Sequence, residues 1–158
     1  PAQPAGLYEE RGQNLPGNSN FAWKNSTGTD RYRRSIYTYW KRRMLNPVMA
    51  TFDAPTRQVC LAKRAITNTP QQALVLLNES TFVEAAKALA KRLEVEGDGK
   101  DSTKITLAFQ ICLGREPTRT EMESCLSFLR GQREKKQANE WIAMGSVMLN
   151  LDEWVTRE

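Results

Sequence analysis

The sequence contains no histidine. Histidine is the one side chain whose ordinary pKa lies close to neutral pH, and its imidazole is the commonest metal ligand in proteins. Its absence excludes a Ser-His-Asp or Cys-His catalytic arrangement within this chain. Phosphate-binding loops, dinucleotide-binding motifs and calcium-binding loops are also missing from the sequence. The residues therefore predict no catalytic centre, no metal site and no cofactor in this chain.

Cysteine is scarce: the chain has three, Cys60, Cys112 and Cys125. None of them stands in a C-x-x-C or C-x-x-C-H motif, so a zinc ribbon and a covalently attached haem are not predicted. We expect buried thiols. In an oxidising compartment one disulfide between two of the three is the alternative, and the sequence does not choose the pair.

Long hydrophobic runs are missing as well. The longest wholly aliphatic run is residues 73–77, whereas a membrane-spanning helix needs about 20 apolar residues. No charged segment followed by an apolar one opens the chain. The sequence therefore predicts no membrane span. Because residue 1 is Pro1 rather than methionine, we expect that the chain begins after processing, trimming or cleavage of a larger precursor. The missing signal segment therefore does not indicate a cytosolic protein.

Alternating patterns typical of β-strands are absent at useful length, whereas apolar residues recur at helical spacing through most of the chain. Residues 1–29 are rich in proline and glycine and predict an extended arm. The composition, with 40% hydrophobic and 26% charged residues, is that of a soluble globular protein. We expect residues 30–158 to form an all-α domain, an irregular bundle of about five to seven helices.

Two capping boxes mark helix starts. Thr69 is followed by Pro70 and Gln72, and Thr118 is followed by Glu121. In a capping box the threonine hydroxyl and the Gln or Glu side chain satisfy each other's backbone N–H groups. Helices are therefore expected to begin at Pro70 and just after Thr118.

Other helix features follow from local composition. The continuous apolar run of residues 73–77 predicts a helix that is buried around most of its girth. A later helix is expected to be capped by Asp101 or Ser102 and to end at Gly114.

The first strong helix is predicted from about Asp30 to Met44, ending before Asn46-Pro47, because proline cannot continue a helix. One face of this helix would carry the apolar residues Tyr32, Ile36, Tyr39 and Trp40. The opposite face would carry the basic residues Arg31, Arg34, Lys41 and Arg42.

The basic face is the first candidate binding site. Residues 30–64 contain nine Lys or Arg against two acids, a net charge of +7 (9 − 2). Clustered arginine with interleaved aromatic residues can neutralise phosphates or sulfates. The alternative is a solvated helix surface whose arginines pair with acids elsewhere in the fold. If the surface binds a ligand, we expect a polyanion such as an acidic or sulfated polysaccharide rather than nucleic acid.

The second candidate is a polar turn that contains Asp53 and Arg57. Asp53 lies in the string FDAP, the one acidic context that looks specific, but the sequence offers no second carboxylate for a hydrolase. As an alternative, Asp53 would cap a helix that starts at Ala54, and Arg57 would pair with an acid.

Several strings are distinctive. They are YRRSIYTYWKR at 32–42, TFDAP at 51–55, TNTPQQALVLLN at 67–78, LGREPT at 113–118 and LNLDE at 149–153. Together they resemble the C-terminal part of domain of unknown function fifteen-fifty-three, which occurs in large planctomycete and related bacterial proteins. The likeness covers nearly the whole chain and implies that residues 30–158 are the C-terminal part of a larger domain.

The resemblance also implies a context. In that family the domain lies in exported proteins, often with a cytochrome-c-like domain. It implies an extracytoplasmic location, haem in another domain of the precursor, and other domains of that precursor as partners. We therefore expect a non-catalytic helical scaffold or interaction domain. The alternatives are polyanion binding through the basic helix and an enzyme site completed by an N-terminal half.

Overall fold

The computed structural model describes residues 26–40, 45–56, 58–135 and 139–156. No β-strand occurs in these ranges, where two short 3-10 helices, Gly28–Tyr32 and Ser35–Tyr37, precede seven α-helices. The α-helices are α1 (Pro47–Thr51), α2 (Pro70–Asn78), α3 (Ser80–Glu96), α4 (Asp101–Leu113), α5 (Arg119–Glu134), α6 (Glu140–Leu149) and α7 (Asp152–Val155). The predicted all-α class is confirmed.

The chain divides into two compact units, residues 1–72 and 73–158. The predicted boundary between an extended arm, 1–29, and a helical domain stays a prediction, because residues 1–25 lie outside the described ranges. No helix in those ranges has both the length and the apolar character that crossing a bilayer demands.

The core of the second unit is built from α3 to α6, and α3 packs most extensively against α6. Its fully buried side chains include Leu93, Ile105, Phe109, Leu129 and Met144. They recur at helical spacing, so each helix turns one apolar stripe inward. This burial agrees with the helical recurrence of apolar residues in the sequence, and it is the main source of stability in this unit.

Helix boundaries in the second unit follow local signals. α4 ends at Gly114, whose φ of 73° is left-handed and favours glycine. α5 begins with the predicted capping box of Thr118 and Glu121. The predicted cap of α4 is wrong: Lys100 occupies that position without a side-chain cap, and the Asp101 carboxylate binds Arg133 instead.

The predicted helix from Asp30 to Met44 is wrong over residues 30–40, and residues 41–44 lie outside the described ranges. Side chains occupy the carbonyl that a helix would use: the Thr38 hydroxyl and the Trp40 indole N–H both donate to the Ser35 carbonyl, at 2.7 and 3.0 Å. The predicted apolar face is also uncovered, because Tyr32 and Ile36 are 58% and 73% exposed. Without burial of that face, an amphipathic helix of this length is only marginally stable in water.

Asn46-Pro47 begins a helix rather than ending one. The Asn46 side chain accepts hydrogen bonds from the backbone N–H groups of Val48 and Met49, and Pro47 occupies the first turn of α1. Proline fits there because its missing N–H would have no partner inside the helix.

α2 begins at Pro70, as predicted. Its predicted burial around most of the girth is wrong, because Leu76 is buried while Leu74 and Leu77 are 60% and 51% exposed. This short helix is therefore covered on one side only. It ends at Asn78, and the Glu79 side chain caps α3 by accepting a hydrogen bond from the Thr81 N–H.

Candidate functional site

In the first unit a polar cluster closes the base of the loop formed by residues 54–66, here called the 54–66 loop. The backbone N–H and hydroxyl of Thr67 donate to Oδ2 of Asp53, at 2.8 and 2.7 Å. Asp53 itself has a φ of 57°, a left-handed conformation that few residues other than glycine adopt. The carboxylate thus holds together two points 14 residues apart in sequence.

Gln72 completes the cluster and is 1% exposed. Its amide N–H₂ group donates to the Thr51 carbonyl and to the Thr67 hydroxyl, at 2.9 and 3.2 Å. Its amide oxygen accepts from the Thr69 N–H at 2.9 Å, as the predicted capping box requires. Because a buried amide is costly unless it is hydrogen-bonded, these contacts fix the end of α1, the loop exit and the start of α2 together.

The 54–66 loop is unusual in what it exposes. Three large aliphatic side chains, Val59, Leu61 and Ile66, are 65%, 56% and 48% exposed. Lys63 and Arg64 are exposed too, and neither makes an ion pair within the described part of the chain. The loop therefore presents apolar and cationic groups side by side in the sequence.

The structure places two of the predicted basic residues against aromatic rings. The guanidinium carbon of Arg31 lies 5.6 Å from the ring centroid of Tyr32, and that of Arg34 lies 5.8 Å from the ring of Tyr37. Both contacts are cation–π interactions. Arg31 and Arg34 do not share the predicted α-helical face, and Lys41 and Arg42 lie outside the described residues. Ligand binding by these residues stays a prediction.

The polar turn is partly described. Asp53 does not cap a helix, because residues 54–56 and 58–69 form none; its carboxylate binds Thr67 instead. Arg57 lies outside the described residues. Sequence reasoning missed the partnership of Asp53 with Thr67 and Gln72. A usable signal was that all three lie in strings that carry the family resemblance, Asp53 in TFDAP and the other two in TNTPQQALVLLN.

In the second unit, Arg115 holds two carboxylates from different helices. Its guanidinium lies 2.7 Å from Glu121 at the start of α5 and 2.7 Å from Glu153 in α7. The guanidinium also lies over the ring of Phe109, with its central carbon 5.3 Å from the ring centroid. Hydrogen bonds from Arg115, and then from the Thr118 backbone, lower the pKa of Glu121 from 4.5 to about 2. We call this group the Arg115 cluster.

A second arginine also binds carboxylates from two other helices, at the end of α5 opposite to Glu121. Arg133 at the end of α5 binds Asp101 at the start of α4, at 2.7 Å, and Glu140 at the start of α6, at 3.2 Å. The hydrogen bond from Arg133 lowers the pKa of Asp101. The same two carboxylates raise the pKa of Arg133. The charges of Arg133, Asp101 and Glu140 therefore hold α4, α5 and α6 together.

A cavity of about 330 Å³ lies between α4, α5 and α6. Its walls are mainly apolar and include Phe109, Phe128, Met144 and Met148. Two of the polar residues in the wall already have partners: the Ser124 hydroxyl donates to the Thr120 carbonyl, and Glu121 belongs to the Arg115 cluster. The cavity thus has apolar contact to offer, and little hydrogen bonding.

The three cysteines are free thiols. Cys60 is exposed in the 54–66 loop, Cys125 lines the cavity, and Cys112 is buried in the core. The expectation of burial therefore holds for Cys112 and in part for Cys125, whereas the exposed Cys60 contradicts it. Burial raises the pKa of Cys112, and burial together with the charge of Glu121 raises that of Cys125.

No group of three or more Cys, Asp or Glu side chains in the described ranges could hold a metal ion. Neither the curated proteins nor the solved structures contain a match to this chain. A family model does match, over residues 3–129, and that range includes the strings at 32–42, 51–55, 67–78 and 113–118. The chain belongs to the PSD1 family, described as protein of unknown function (DUF1553).

Proposed function

We propose that this chain is a non-catalytic helical scaffold or interaction domain of an exported multidomain protein. The observation that carries the proposal is the use of six charged side chains of the second unit in contacts between helices: Arg115 with Glu121 and Glu153, and Arg133 with Asp101 and Glu140. Glu121 has a pKa of about 2 and its oxygens accept from Arg115 and Thr118. A general acid or base needs a pKa nearer to the working pH, so this carboxylate serves structure.

The thiols support the same proposal. Nucleophilic cysteines are activated by neighbouring positive charge or by a helix N-terminus, which lowers their pKa. Cys112 and Cys125 have raised pKa values, so both are poor nucleophiles at neutral pH. The interaction part of the proposal is supported by the 54–66 loop, which leaves large aliphatic side chains in solvent.

The cellular context is part of the proposal. The family resemblance supports a planctomycete-type exported protein in which a cytochrome-c-like domain carries haem and the other domains of the precursor are the partners. Two measurements test this: fractionation of cells that express the intact precursor, and haem absorbance of that precursor beside residues 1–158. We expect the precursor outside the cytoplasm, with haem absorbance in the precursor alone. A cytoplasmic precursor without haem would contradict this context.

The scaffold role has its own test. The other domains of the precursor are produced separately and mixed with residues 1–158, and association is measured by analytical ultracentrifugation. A complex is expected. Dialysed residues 1–158 are also assayed on polysaccharides and sulfate esters, where no turnover is expected. Turnover there, or failure to associate with any domain of the precursor, would overturn the proposal.

A second candidate function is polyanion binding, which the two arginine–tyrosine contacts favour. Tyr32 and Tyr37 are 58% and 52% exposed, so a sulfated sugar could approach both an arginine and its ring. Retention on heparin is the measurement. The double variant Arg31→Glu with Arg34→Glu should elute at lower salt than Lys87→Glu with Lys91→Glu, which makes the same change of charge on exposed positions of α3. Equal elution would exclude this site.

A further inference from the structure

The 54–66 loop has the marks of a recognition surface. Loops of this length without secondary structure are uncommon in compact domains and are usually functional or disordered. This loop is closed at its base by the Thr67–Asp53 and Gln72–Thr51 hydrogen bonds. A loop whose ends are fixed in this way loses less conformational entropy when it binds.

The charge of the loop indicates the chemistry of its partner. Between Ala54 and Ile66 the sequence has Arg57, Lys63 and Arg64 and no acid, a net charge of +3 (3 − 0). Elsewhere in the described ranges, arginines such as Arg115 and Arg133 have carboxylate partners within the chain. Lys63 and Arg64 do not. A partner that supplied carboxylates would complete their ion pairs.

The apolar residues of the loop narrow the class of binding partner further. Val59, Leu61 and Ile66 are aliphatic, and the loop contains no Trp, Tyr or Phe. Membrane-surface segments are typically anchored by aromatic residues and by larger polybasic clusters. Proteins that bind single-stranded nucleic acid stack bases on aromatic side chains. Aliphatic side chains between cations fit a polypeptide that places aliphatic residues between its own carboxylates.

We propose that the 54–66 loop is a preformed docking surface for an acidic, aliphatic-rich polypeptide segment. This inference rests on the proposed interaction role and gives that role a surface and a partner chemistry. Lys63 and Arg64 pair with the carboxylates of the segment, and Val59, Leu61 and Ile66 contact its aliphatic side chains. The polar cluster of Asp53, Thr67 and Gln72 keeps the loop in shape and does not touch the partner.

The test uses the whole chain and a fluorescent synthetic peptide in which glutamate alternates with leucine and valine. Fluorescence anisotropy gives its affinity for the wild type, for Lys63→Glu with Arg64→Glu, and for Val59→Ser with Leu61→Ser. The control is Lys87→Glu with Lys91→Glu. Both loop variants should bind about tenfold more weakly or worse, and the control within about twofold of the wild type. Circular dichroism confirms that all variants fold alike.

In the peptide assay, three outcomes overturn the inference: no binding by the wild type, loop variants that bind like the wild type, or equal weakening in the control. Vesicles of phosphatidylglycerol and a single-stranded oligonucleotide are measured in parallel, and binding to either of these without the peptide also overturns it. The loop variants are then mixed with the other domains of the precursor. If the loop variants still associate with these domains, the proposed role of the 54–66 loop is wrong but the scaffold function stands. If the wild type does not associate with any of them, the proposed function is wrong as well.

Discussion

Arg115 shows why an arginine, rather than a lysine, stands in the string LGREPT. Its three nitrogens contact Glu121, Glu153 and the Glu116 carbonyl at once, with five hydrogen bonds to the two carboxylates between 2.7 and 3.1 Å. A planar guanidinium can bind two carboxylates in fork geometry and still lie flat on an aromatic ring. A lysine ammonium would keep the charge and lose that geometry.

Glu121→Gln tests the charge of the Arg115 cluster. Glutamine still completes a capping box with Thr118, so the variant isolates the negative charge. At neutral pH we expect a loss of about 1 kcal/mol in the free energy of unfolding, held low by the partial exposure of the pair. The measurement is urea denaturation followed by circular dichroism.

The pH dependence of this loss has a definite sign. The folded-state pKa of Glu121, about 2, lies below its ordinary value of 4.5, so the ionised form stabilises the fold above pH 4.5. That contribution disappears as pH falls from 4.5 through 2, because Glu121 becomes protonated. The gap between wild type and Glu121→Gln should close over the same range. Glu123→Gln, which breaks the exposed Arg119–Glu123 pair, is the control, and a gap of equal size there would contradict the prediction.

The three thiols should react with iodoacetamide in the order Cys60, Cys125, Cys112. Cys60 is exposed, Cys125 lies in the cavity wall and Cys112 is 7% exposed. Burial limits access and raises the pKa of the latter two, so less thiolate is present at pH 8. Peptide mass spectrometry at timed intervals gives each rate. Alkylation of Cys112 as fast as Cys60 would contradict this packing.

At the scale of the helix, Gly145 allows α6 to approach α3 closely. A Cβ at this position would lie 2.8 Å from the backbone oxygen of Ala86, which is too near for the two helices to keep their spacing. Gly145→Ala should therefore lower the free energy of unfolding by about 1–2 kcal/mol, even though alanine favours the helix. Urea denaturation measures the change.

Gly131→Ala in α5 is the matched control for Gly145→Ala. Apart from the neighbouring residues and the local backbone of its own helix, no atom lies within 4 Å of the Cβ position at Gly131, so alanine adds helix propensity without a clash. We expect this variant to be about 0.5–1 kcal/mol more stable than the wild type. If both variants shifted stability in the same direction, the close approach of α3 and α6 would not be the cause.

The helices that the sequence predicts correctly are those with short-range signals. Thr69 with Gln72 and Thr118 with Glu121 form their capping boxes within three residues, and Gly114 ends α4 by its own conformation. The helix predicted from Asp30 failed because periodicity alone does not reveal whether the apolar face will be covered. Ile36 is 73% exposed, so no burial of apolar surface offsets the conformational entropy that forming this helix would cost.

The candidate sites were harder to predict, because their contacts join distant parts of the sequence. Arg115 and Glu153 are 38 residues apart, and Arg133 and Asp101 are 32 apart. No local pattern distinguishes an arginine that pairs across helices from one in solvent. Asp53 stands out by its sequence context, but no local pattern identifies Thr67, 14 residues further along the chain, as its partner.

At the scale of the whole molecule, buried apolar residues and positive charge are concentrated in different parts of the chain. Residues 73–158 contain all of the buried hydrophobic side chains of the described ranges, from Leu76 to Leu149. Residues 30–64 have a net charge of +7 (9 − 2), and residues 65–158 have a net charge of −2 (12 − 14). The stable core and the excess of positive charge therefore lie in different stretches of the chain.

This division predicts the course of limited proteolysis. The peptide bonds after Lys63 and Arg64 are exposed and lie outside any helix, so trypsin can bind them without unfolding the core. We expect early cleavage there and a resistant product that begins at Arg64 or Ala65 and contains α2 to α7. Mass spectrometry identifies the product.

The resistant product should keep the helical circular dichroism signal of α3 to α6 and unfold cooperatively, because the hydrophobic core is contained in it. Lys63→Gln with Arg64→Gln removes the two cleavage sites and should abolish this product. The bonds after Arg115 and Arg133 serve as internal references, since both arginines are held by two carboxylates. Cleavage there at a rate equal to that at Lys63 would mean that the second unit opens as readily as the 54–66 loop. The core of the second unit would then depend on other parts of the protein for its stability.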